Sequence, residues 1–517
     1  MNSVHFFCQQ TVLNGSVQSL VGEVAENSLQ GQFMSFYETK SIPSTPTGKA
    51  FAIAIVIVSL SACSVGPDYS VAENTINIPQ WADTTNQADG LVIASKVVNS
   101  DWWKIFQDPL LTSLEKELAT KNLDIQLAMN RIEESRSLLG ITKSEQLPNL
   151  GLGGNYSRYG LSENGKFAAL GAPTQANNFW QVGFDASWEL DLWGKFARSN
   201  ESAMAQLMAT QYEQQGVYVA ISAQLARIYL QLRGVQAQID LTEKNLQIAK
   251  RTVELTESRE RNGVGTRFET STSLAQLASI KAMMPELKQR RSKLMNAMAL
   301  LLGEQPHSLD ERLKDVIPLP VLAKEIPVGV PSELAHRRPD ILTAEAELHA
   351  ATAEIGVAKA NFYPRIAING QIGGEAFEYT DLGSWSSRFF SIGPSVYLPI
   401  FQGGKLTQKL ELTEIKQKSA AIRYRQTVLN AWHEVDDALS YTAAQVQQHK
   451  DLTIAYQQHK RAFDVAERNF QEGVSDYLQV LTAQKDVLLS ETKLNLNKTQ
   501  STLSLVNLYK ALGGGWN

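Results

Sequence analysis

Apolar positions in the second half of the chain recur with the period of one very long helix. The stretch from Lys405 to Glu472 contains no Gly and no Pro, the usual helix breakers. Its apolar stripe has steps of three, four and seven residues: Val428, Trp432, Val435, Leu439 and Val446. A helix of this length would measure roughly 100 Å. We expect it to pack against other long helices, because propensity alone rarely sustains one.

The same stretch has an earlier counterpart. Gly194-Lys195 precedes Gly404-Lys405 by 210 residues, and Gly263-Val264 precedes Gly473-Val474 by the same interval. Equal spacing between two pairs of glycines indicates a tandem repeat. Each repeat reads as a helix, a hairpin, a very long helix, a turn and a helix.

Two hairpins are predicted from alternating positions. Val182, Phe184, Ala186, Trp188 and Leu190 alternate with polar or small residues, which is the period of a strand with one apolar face. The predicted hairpins cover about 149–190 and 365–400, and Pro394 predicts a bulge in the last strand. Each strand has about ten residues, the length that a tilted strand needs to cross a membrane. Four strands of a soluble sandwich are the alternative.

The remaining boundaries follow from Gly, Pro and periodicity. A helix is predicted from about Pro109 to Glu145, and the connector between the repeats is rich in proline. The predicted organisation is a first repeat at 109–317 with helices at 195–262 and 267–302, a connector at 318–338, and a second repeat at 339–517 with helices at 405–472 and 477–512.

The N-terminal region has the form of a lipoprotein signal. An apolar run from Ala50 to Leu60 is too short to span a bilayer, and it ends in Leu60-Ser61-Ala62-Cys63. We expect a signal peptide at 34–62, an upstream extension at 1–33 that precedes the true start near Met34, and a lipid-anchored extended segment at 63–108. Cys63 would carry S-diacylglycerol and an N-acyl chain such as palmitate, which together anchor a protein stably. A buried helix with a chance cysteine is the alternative.

Composition narrows the function. The 517-residue chain has a net charge of −5, which gives no indication of nucleic-acid binding, and only two cysteines. His433-Glu434 lacks the second histidine of a zinc motif, and neither a phosphate loop nor a nucleophile elbow is present. We therefore expect no enzyme and no cofactor besides the lipid.

The predicted strands require more than one copy of the chain. Four strands cannot close a barrel, and open strand edges are not tolerated in lipid. Three copies would supply about twelve strands, above the eight of the smallest usual barrel. Polar strand faces would then line an aqueous bore.

Several motifs carry a family resemblance across about residues 63–513. They are Cys63-Ser64-Val65-Gly66-Pro67-Asp68-Tyr69, Trp102-Trp103, Arg338-Pro339-Asp340-Ile341, Phe362-Tyr363-Pro364 and Leu481-Thr482-Ala483-Gln484. The chain resembles the outer-membrane factors, the TolC-like, NodT-type lipoprotein channels of tripartite efflux systems. The resemblance implies a mainly α-helical homotrimer with a 12-stranded β-barrel in the outer membrane and a long α-helical tunnel in the periplasm.

The resemblance also implies partners and a function. It implies a periplasmic adaptor, an inner-membrane transporter of the resistance-nodulation-division type, and passive export of drugs or other small molecules. A duct for type I protein secretion, or a lipid-anchored periplasmic coiled coil without a channel, are the alternatives.

The site residues follow from the same resemblance. The periplasmic tips and adaptor contacts would be Gly263, Val264, Gly473, Val474 and Asp476. Where many members carry aspartates that ring the pore, this chain has Gln479 and Thr482. We therefore expect weaker block by multivalent cations than in members with acidic rings.

Overall fold

The computed structural model describes residues 64–70, 101–320 and 337–514, together with the backbone of Val92–Ala94 and Glu325–Pro327. The expectations for the upstream extension, the signal peptide and Cys63 concern residues outside these ranges. The same holds for parts of the segment 63–108 and of the connector 318–338.

Long helices dominate the described part of the chain. Those of more than ten residues are α1 (Pro109–Lys121), α2 (Leu123–Ser144), α3 (Lys195–Arg261), α4 (Arg267–Leu301), α5 (Pro339–Ala360), α6 (Lys405–Gln471) and α7 (Tyr477–Ala511). Helices α3 and α6 have 67 residues each, and α4 and α7 have 35 each. The two repeats thus have matching helices, and the longest measure roughly 100 Å. Among the described residues, none of the helices is long and apolar enough to cross a bilayer.

Four antiparallel strands form the principal sheet. They are β2 (Asn149–Tyr159), β3 (Asn177–Leu190), β5 (Arg365–Ala376) and β6 (Arg388–Tyr397), in the spatial order β2-β3-β5-β6. The strands β2 and β6 therefore form the two open edges of the sheet within one chain. The β2–β3 loop contains a helical turn, Lys166–Ala169.

The register separates an apolar face from a polar face. Leu152, Phe184, Ile372 and Phe390 lie side by side across the four strands, and Gly151, Asp185, Gln371 and Ser391 form an adjacent row on the other face. The apolar row is exposed, from 49% for Phe184 to 76% for Phe390. On the polar face, the Ser187 hydroxyl donates to Asn369, whose amide donates to Ser395, both at 2.9 Å. The alternation predicted from the sequence is therefore present in the sheet.

The helices next to the sheet lie in the same order as the strands. Contacts join α2 to α3, α3 to α5, and α5 to α6. Further from the sheet, α3 pairs with α4 and α6 pairs with α7, and α7 also contacts α3. The described helices thus form a wall of two helical hairpins that continues from the four-stranded sheet.

The core lies midway along the wall. Trp102, Trp103 and Phe106, on a 3-10 helix at Trp102–Phe106, are buried against leucines of α1 and against α3, α4 and α7. The Trp102 ring stacks on Tyr509 with ring centres 5.6 Å apart. The aromatic cluster therefore packs on neighbouring helices, as the sequence predicts.

The single helix predicted from Pro109 to Glu145 is wrong. It is divided at Asn122, whose backbone is extended (ψ 128°). The Asn122 side chain accepts a hydrogen bond from Ile125 N at 3.0 Å and donates one to Leu301 O at 2.7 Å. Asn is a strong N-cap residue, so its side chain starts a new helix here.

Two other expectations also need correction. The predicted bulge at Pro394 is absent, because the pairing of β5 and β6 runs without interruption through Ile368 and Pro394. Proline is tolerated on an edge strand, where its nitrogen can face away from the neighbour. The segment 63–108 is also not simply extended. It contains the 3-10 helix described above and a strand β1 (Val92–Ala94), which pairs in parallel with β4 (Glu325–Pro327) of the connector.

Candidate functional site at the helical tips

The first tip, residues 262–266, reverses the chain between α3 and α4. Gly263 has a positive φ of 71°, a conformation that glycine adopts without strain. Its N–H donates to Glu260 O, and Val264 N–H donates to Arg259 O, both at 3.0 Å. These bonds satisfy the last carbonyls of α3. Thr266 then begins α4 with a reciprocal capping box to Glu269.

The second tip, residues 472–476, repeats this geometry between α6 and α7. Gly473 has φ of 77°, and Val474 N–H donates to Asn469 O at 2.8 Å. Asp476 is the N-cap of α7, and its carboxylate accepts from Gln479 N at 3.2 Å. One oxygen of Asp476 is therefore engaged by its own helix, whereas the residue as a whole is exposed.

Both tips expose apolar side chains at the far end of the wall. Val264 is 65% exposed and Val474 is 75% exposed, and Phe268 on the first turn of α4 is 65% exposed. Exposed apolar residues grouped at one end of a structure are typical of a surface that another protein covers. The residues predicted at the tips thus lie at adjoining turns and face outward.

A contact that the sequence analysis missed links the two tips. The Arg259 guanidinium of α3 lies over the Phe470 ring of α6, 4.7 Å from its centre, and donates to Val264 O at 3.1 Å. The Phe470 ring in turn lies 4.8 Å from the ring of Tyr477 at the start of α7. Burial raises the pKa of the Tyr477 hydroxyl, and the nearby Arg259 acts against this shift. The position equivalent to Arg259 in the second repeat, 210 residues later, is Asn469, so the two tips differ in sequence at this position.

The candidate constriction residues lie on the exposed side of α7. Gln479 and Thr482 are exposed, whereas Val480 and Leu481 between them are buried. The Thr482 hydroxyl donates to Leu478 O of its own helix at 2.9 Å. Among the described residues, neither side chain forms a hydrogen bond with a charged side chain. Both are therefore available to a neighbouring copy or to an aqueous space.

The N-terminal strap, residues 64–70, binds at the junction between the sheet and the helices. Val65 N–H donates to Trp193 O at 3.1 Å, between the end of β3 and the start of α3. The strap approaches so closely that a Cβ added to Gly194 would lie 2.5 Å from Ser64 Oγ. Gly66, at φ 109°, likewise packs on the backbone of Gly356 in α5.

Charged and aromatic contacts hold the other end of the strap. The buried Arg198 of α3 donates to Asp68 of the strap, and also to Glu201 at 2.8 Å. The Tyr69 ring stacks on His349 of α5 at 4.3 Å. Its hydroxyl donates to Glu345 at 3.2 Å, and burial together with this carboxylate raises the pKa of Tyr69. The strap is thus fixed to both repeats.

Two long helical hairpins that continue from an open sheet with one apolar and one polar face are typical of outer-membrane channels. In such a protein, each chain forms one segment of the barrel wall and of the helical tunnel. The family model described as Outer membrane efflux protein matches residues 114–304 and 330–514. The chain belongs to this family, whose members are channels of the outer membrane.

Individual relatives agree with this assignment. The chain is 29% identical over 477 residues to outer membrane protein OprJ of Pseudomonas aeruginosa, covering 90% of this chain and 96% of OprJ. It is 30% identical over 468 residues to the solvent efflux pump outer membrane protein SrpC of Pseudomonas putida, covering 89% and 97%. The solved structure of the outer-membrane channel OprN matches with a TM-score of 0.80 and 30% identity, covering 88% of this chain and 100% of OprN.

Proposed function

We propose that this chain is the outer-membrane component of a tripartite efflux pump, a passive conduit that carries drugs or other small molecules from the periplasm to the exterior. The sheet is the observation that carries the proposal. Its apolar face is exposed, its other face is polar, and both of its edges are open. Such a sheet is stable in lipid only when copies close it into a barrel, which leaves the polar face around water.

Apolar stripes on two helices support a homotrimer. Helix α2 has an exposed stripe on the side opposite its buried residues: Leu123, Leu127, Leu138 and Ile141. Helix α6 has another such stripe with seven-residue spacing, typical of a supercoiled partner: Ile415, Ile422 and Leu429. Large unpartnered apolar stripes are unusual on a monomer.

The connectivity indicates how the stripes meet. Helix α2 leads into edge strand β2, and edge strand β6 leads into α6. Pairing β6 of one copy with β2 of the next therefore sets α6 of the first beside α2 of the second. Closure by three copies would give about twelve strands, a common size for a membrane barrel.

The tips and a neighbouring groove suit a periplasmic adaptor. A cavity of about 410 Å³ lies between α4 and α7 with α3 as its floor, and Ile280, Met283, Leu488 and Leu489 contribute to its lining. A helical hairpin of an adaptor would fit an apolar groove of this kind. The adaptor would join the channel to an inner-membrane transporter of the resistance-nodulation-division type, which supplies the energy because the conduit itself catalyses no reaction. The name of the relative SrpC as a component of a solvent efflux pump is consistent with small-molecule cargo.

The strap supports lipid attachment at Cys63. Ser64, the residue after Cys63, lies against Gly194 at the boundary between strands and helices. In a membrane barrel this boundary is the periplasmic surface of the bilayer, where acyl chains on Cys63 would enter the lipid. The attached groups would be S-diacylglycerol and an N-acyl chain.

Reconstitution of the purified full chain tests the proposal. We expect a detergent-solubilised trimer by native mass spectrometry, ohmic single channels in planar bilayers, and loss of palmitate labelling in Cys63→Ser. A monomeric protein that does not conduct ions would contradict the proposal that the chain forms a channel. Complementation of an efflux-deficient strain tests the cargo: restored resistance to small toxic molecules supports efflux, whereas restored secretion of a protein alone would favour type I secretion.

A further inference from the structure

A hollow floored by glycine lies on the polar face of the sheet, far from the tips. The register places Gly153, Gly183 and Gly373 in one row across β2, β3 and β5, and the row ends at Phe389 on β6. The hollow has a volume of about 240 Å³. Because three adjacent strands have no side chain here, the hollow is open toward the side of the sheet that the polar face looks onto.

The floor is built of backbone that approaches too closely to carry side chains. A Cβ added to Gly183 would lie 2.7 Å from Ile372 O, and one added to Gly373 would lie 2.3 Å from Val182 O. At Gly153, by contrast, an added Cβ meets nothing within 4 Å. The space above Gly153 is therefore large enough to hold part of a ligand.

The walls of the hollow combine an aromatic ring with a carboxylate. A Phe389 ring carbon lies only 3.0 Å from the Cβ position of Gly373, so the ring covers one end of the floor. The Asp185 carboxylate leans toward β2, with Oδ1 2.9 Å from the Cβ position of Gly151. Amide side chains complete the rim: Asn155, Gln181 and Gln371.

The charge of the polar face favours a cation. Asp185 lines the hollow, and Glu375 lies in the next row, opposite Gln181. Glu189, nearer the helices, is paired with Lys195 at 3.2 Å. Among the polar-face positions of the four strands, Arg365 is the one basic residue, and it lies at the helical end and bonds to Asn361. The surroundings of the hollow are thus negative.

We propose that this hollow is a transient binding site for an aromatic organic cation, one per chain, on the wall of the barrel. The ring of Phe389 would stack on the cation, and the Asp185 carboxylate would balance its charge. The amides would accept or donate hydrogen bonds at its edge. This inference rests on the proposed function, because the hollow faces the aqueous interior only if the sheet closes into a barrel.

Ethidium serves as the probe in two measurements on the full-length protein. Fluorescence anisotropy on the solubilised protein measures binding, and reduction of the single-channel current in planar bilayers measures block. We expect Asp185→Asn to weaken both about tenfold, and Phe389→Leu, which keeps apolar volume but removes the ring, to weaken them about threefold. Gly153→Val should abolish both, because its side chain occupies part of the hollow at a position where an added Cβ meets nothing within 4 Å.

Matched control variants distinguish binding in the hollow from a general electrostatic attraction to the negative polar face. Gly393→Val adds the same side chain on the same face outside the hollow, where an added Cβ also meets nothing within 4 Å, and should leave binding unchanged. Glu375→Gln removes the same charge as Asp185→Asn, and Phe390→Leu changes a ring on the opposite face. Equal losses in these controls, or unchanged binding in Gly153→Val, would overturn the site. Conduction without ethidium tests the channel separately, so normal currents with no binding would reject the hollow alone.

Discussion

The Arg259 guanidinium of the first repeat lies 4.7 Å from the centre of the Phe470 ring of the second repeat. The same guanidinium donates to Val264 O, so it closes its own turn and also touches the neighbouring hairpin. Phe470 then contacts Tyr477, which is buried together with Val480 and Leu481. This small cluster therefore connects the two turns at the end of the helical wall.

Arg259→Ala should loosen the tips. The substitution removes a cation–π contact worth about 0.5–1 kcal/mol and a hydrogen bond to the turn. We expect longer or more frequent open events in planar bilayers, with little change in overall melting temperature. Arg261→Ala removes the same charge from an exposed position two residues away and is the control. Identical gating in both variants would indicate a charge effect and contradict the contact.

Gly473→Ala should destabilise the second tip through backbone strain alone. An added Cβ meets nothing within 4 Å, but φ is 77°, and an L-residue pays about 1–2 kcal/mol in this region. Hydrogen exchange of the α6–α7 turn should become faster, and Gly263→Ala should do the same at the first turn. Gly140→Ala in α2, also in open space but at helical φ, should slow local exchange. Slower exchange in Gly473→Ala would contradict the prediction.

Glu115 in the core should make stability fall as the pH rises. It is fully buried among the apolar side chains of the core. Burial raises the pKa of Glu115 to about 8 from an ordinary value of 4.5, and the Ser222 hydroxyl offsets part of the shift. Between these values the native protein holds a proton that the unfolded chain releases. The contribution of Glu115 to the free energy of unfolding is thus fully present below the ordinary pKa and is lost as the pH rises to about 8.

Glu115→Gln tests this directly, because the amide cannot ionise. Urea unfolding of the wild type should show a loss on the order of a few kcal/mol between pH 5 and pH 9, and the variant should lack most of it. Glu117→Gln is the control. Arg312 holds the pKa of Glu117 at about 2, so its contribution is constant across this range. A wild type as stable at pH 9 as at pH 5 would refute the role of Glu115.

Much of this fold could be predicted from spacing. The glycine intervals at Gly263 and Gly473 indicate two equal hairpins, and the alternation from Val182 to Leu190 indicates a two-faced strand, because both are local patterns. The break at Asn122 could not be predicted in this way. Besides its local cap bond to Ile125 N, the Asn122 side chain donates to Leu301 O, which is 179 residues away and which only the fold brings into reach.

The strap and the tip contact escaped prediction for the same reason. Arg198 lies 130 residues from its partner Asp68, and Arg259 reaches Phe470 in the other repeat. Neither pair has a periodic signature, since only the fold brings the residues together. The candidate tip residues could be predicted because a turn is visible in the local sequence. The contact between the two turns could not, because it forms only in the tertiary structure.

Ile422→Glu should separate the subunits without unfolding the chain. Ile422 is 68% exposed on the outer stripe of α6, so glutamate there is solvated in one chain but buried and unpaired in the trimer. Native mass spectrometry should show monomers, with far-ultraviolet circular dichroism unchanged. Leu138→Glu on α2 should act alike, whereas Ile422→Leu should remain trimeric. Intact trimers in both glutamate variants would place the interface elsewhere.

Thr482→Asp should create a cation-sensitive constriction. Thr482 is exposed on α7 and is uncharged, and its hydroxyl donates to Leu478 O of its own helix. Three aspartates at one level of a trimer would attract multivalent cations strongly, because like charges held together bind such ions to reduce their repulsion. We expect hexamminecobalt to block the variant at concentrations at least about tenfold lower than it blocks the wild type. Thr482→Asn, similar in size but neutral, should behave like the wild type. If the wild type and Thr482→Asp are blocked equally, Thr482 does not line the narrow part of the pore.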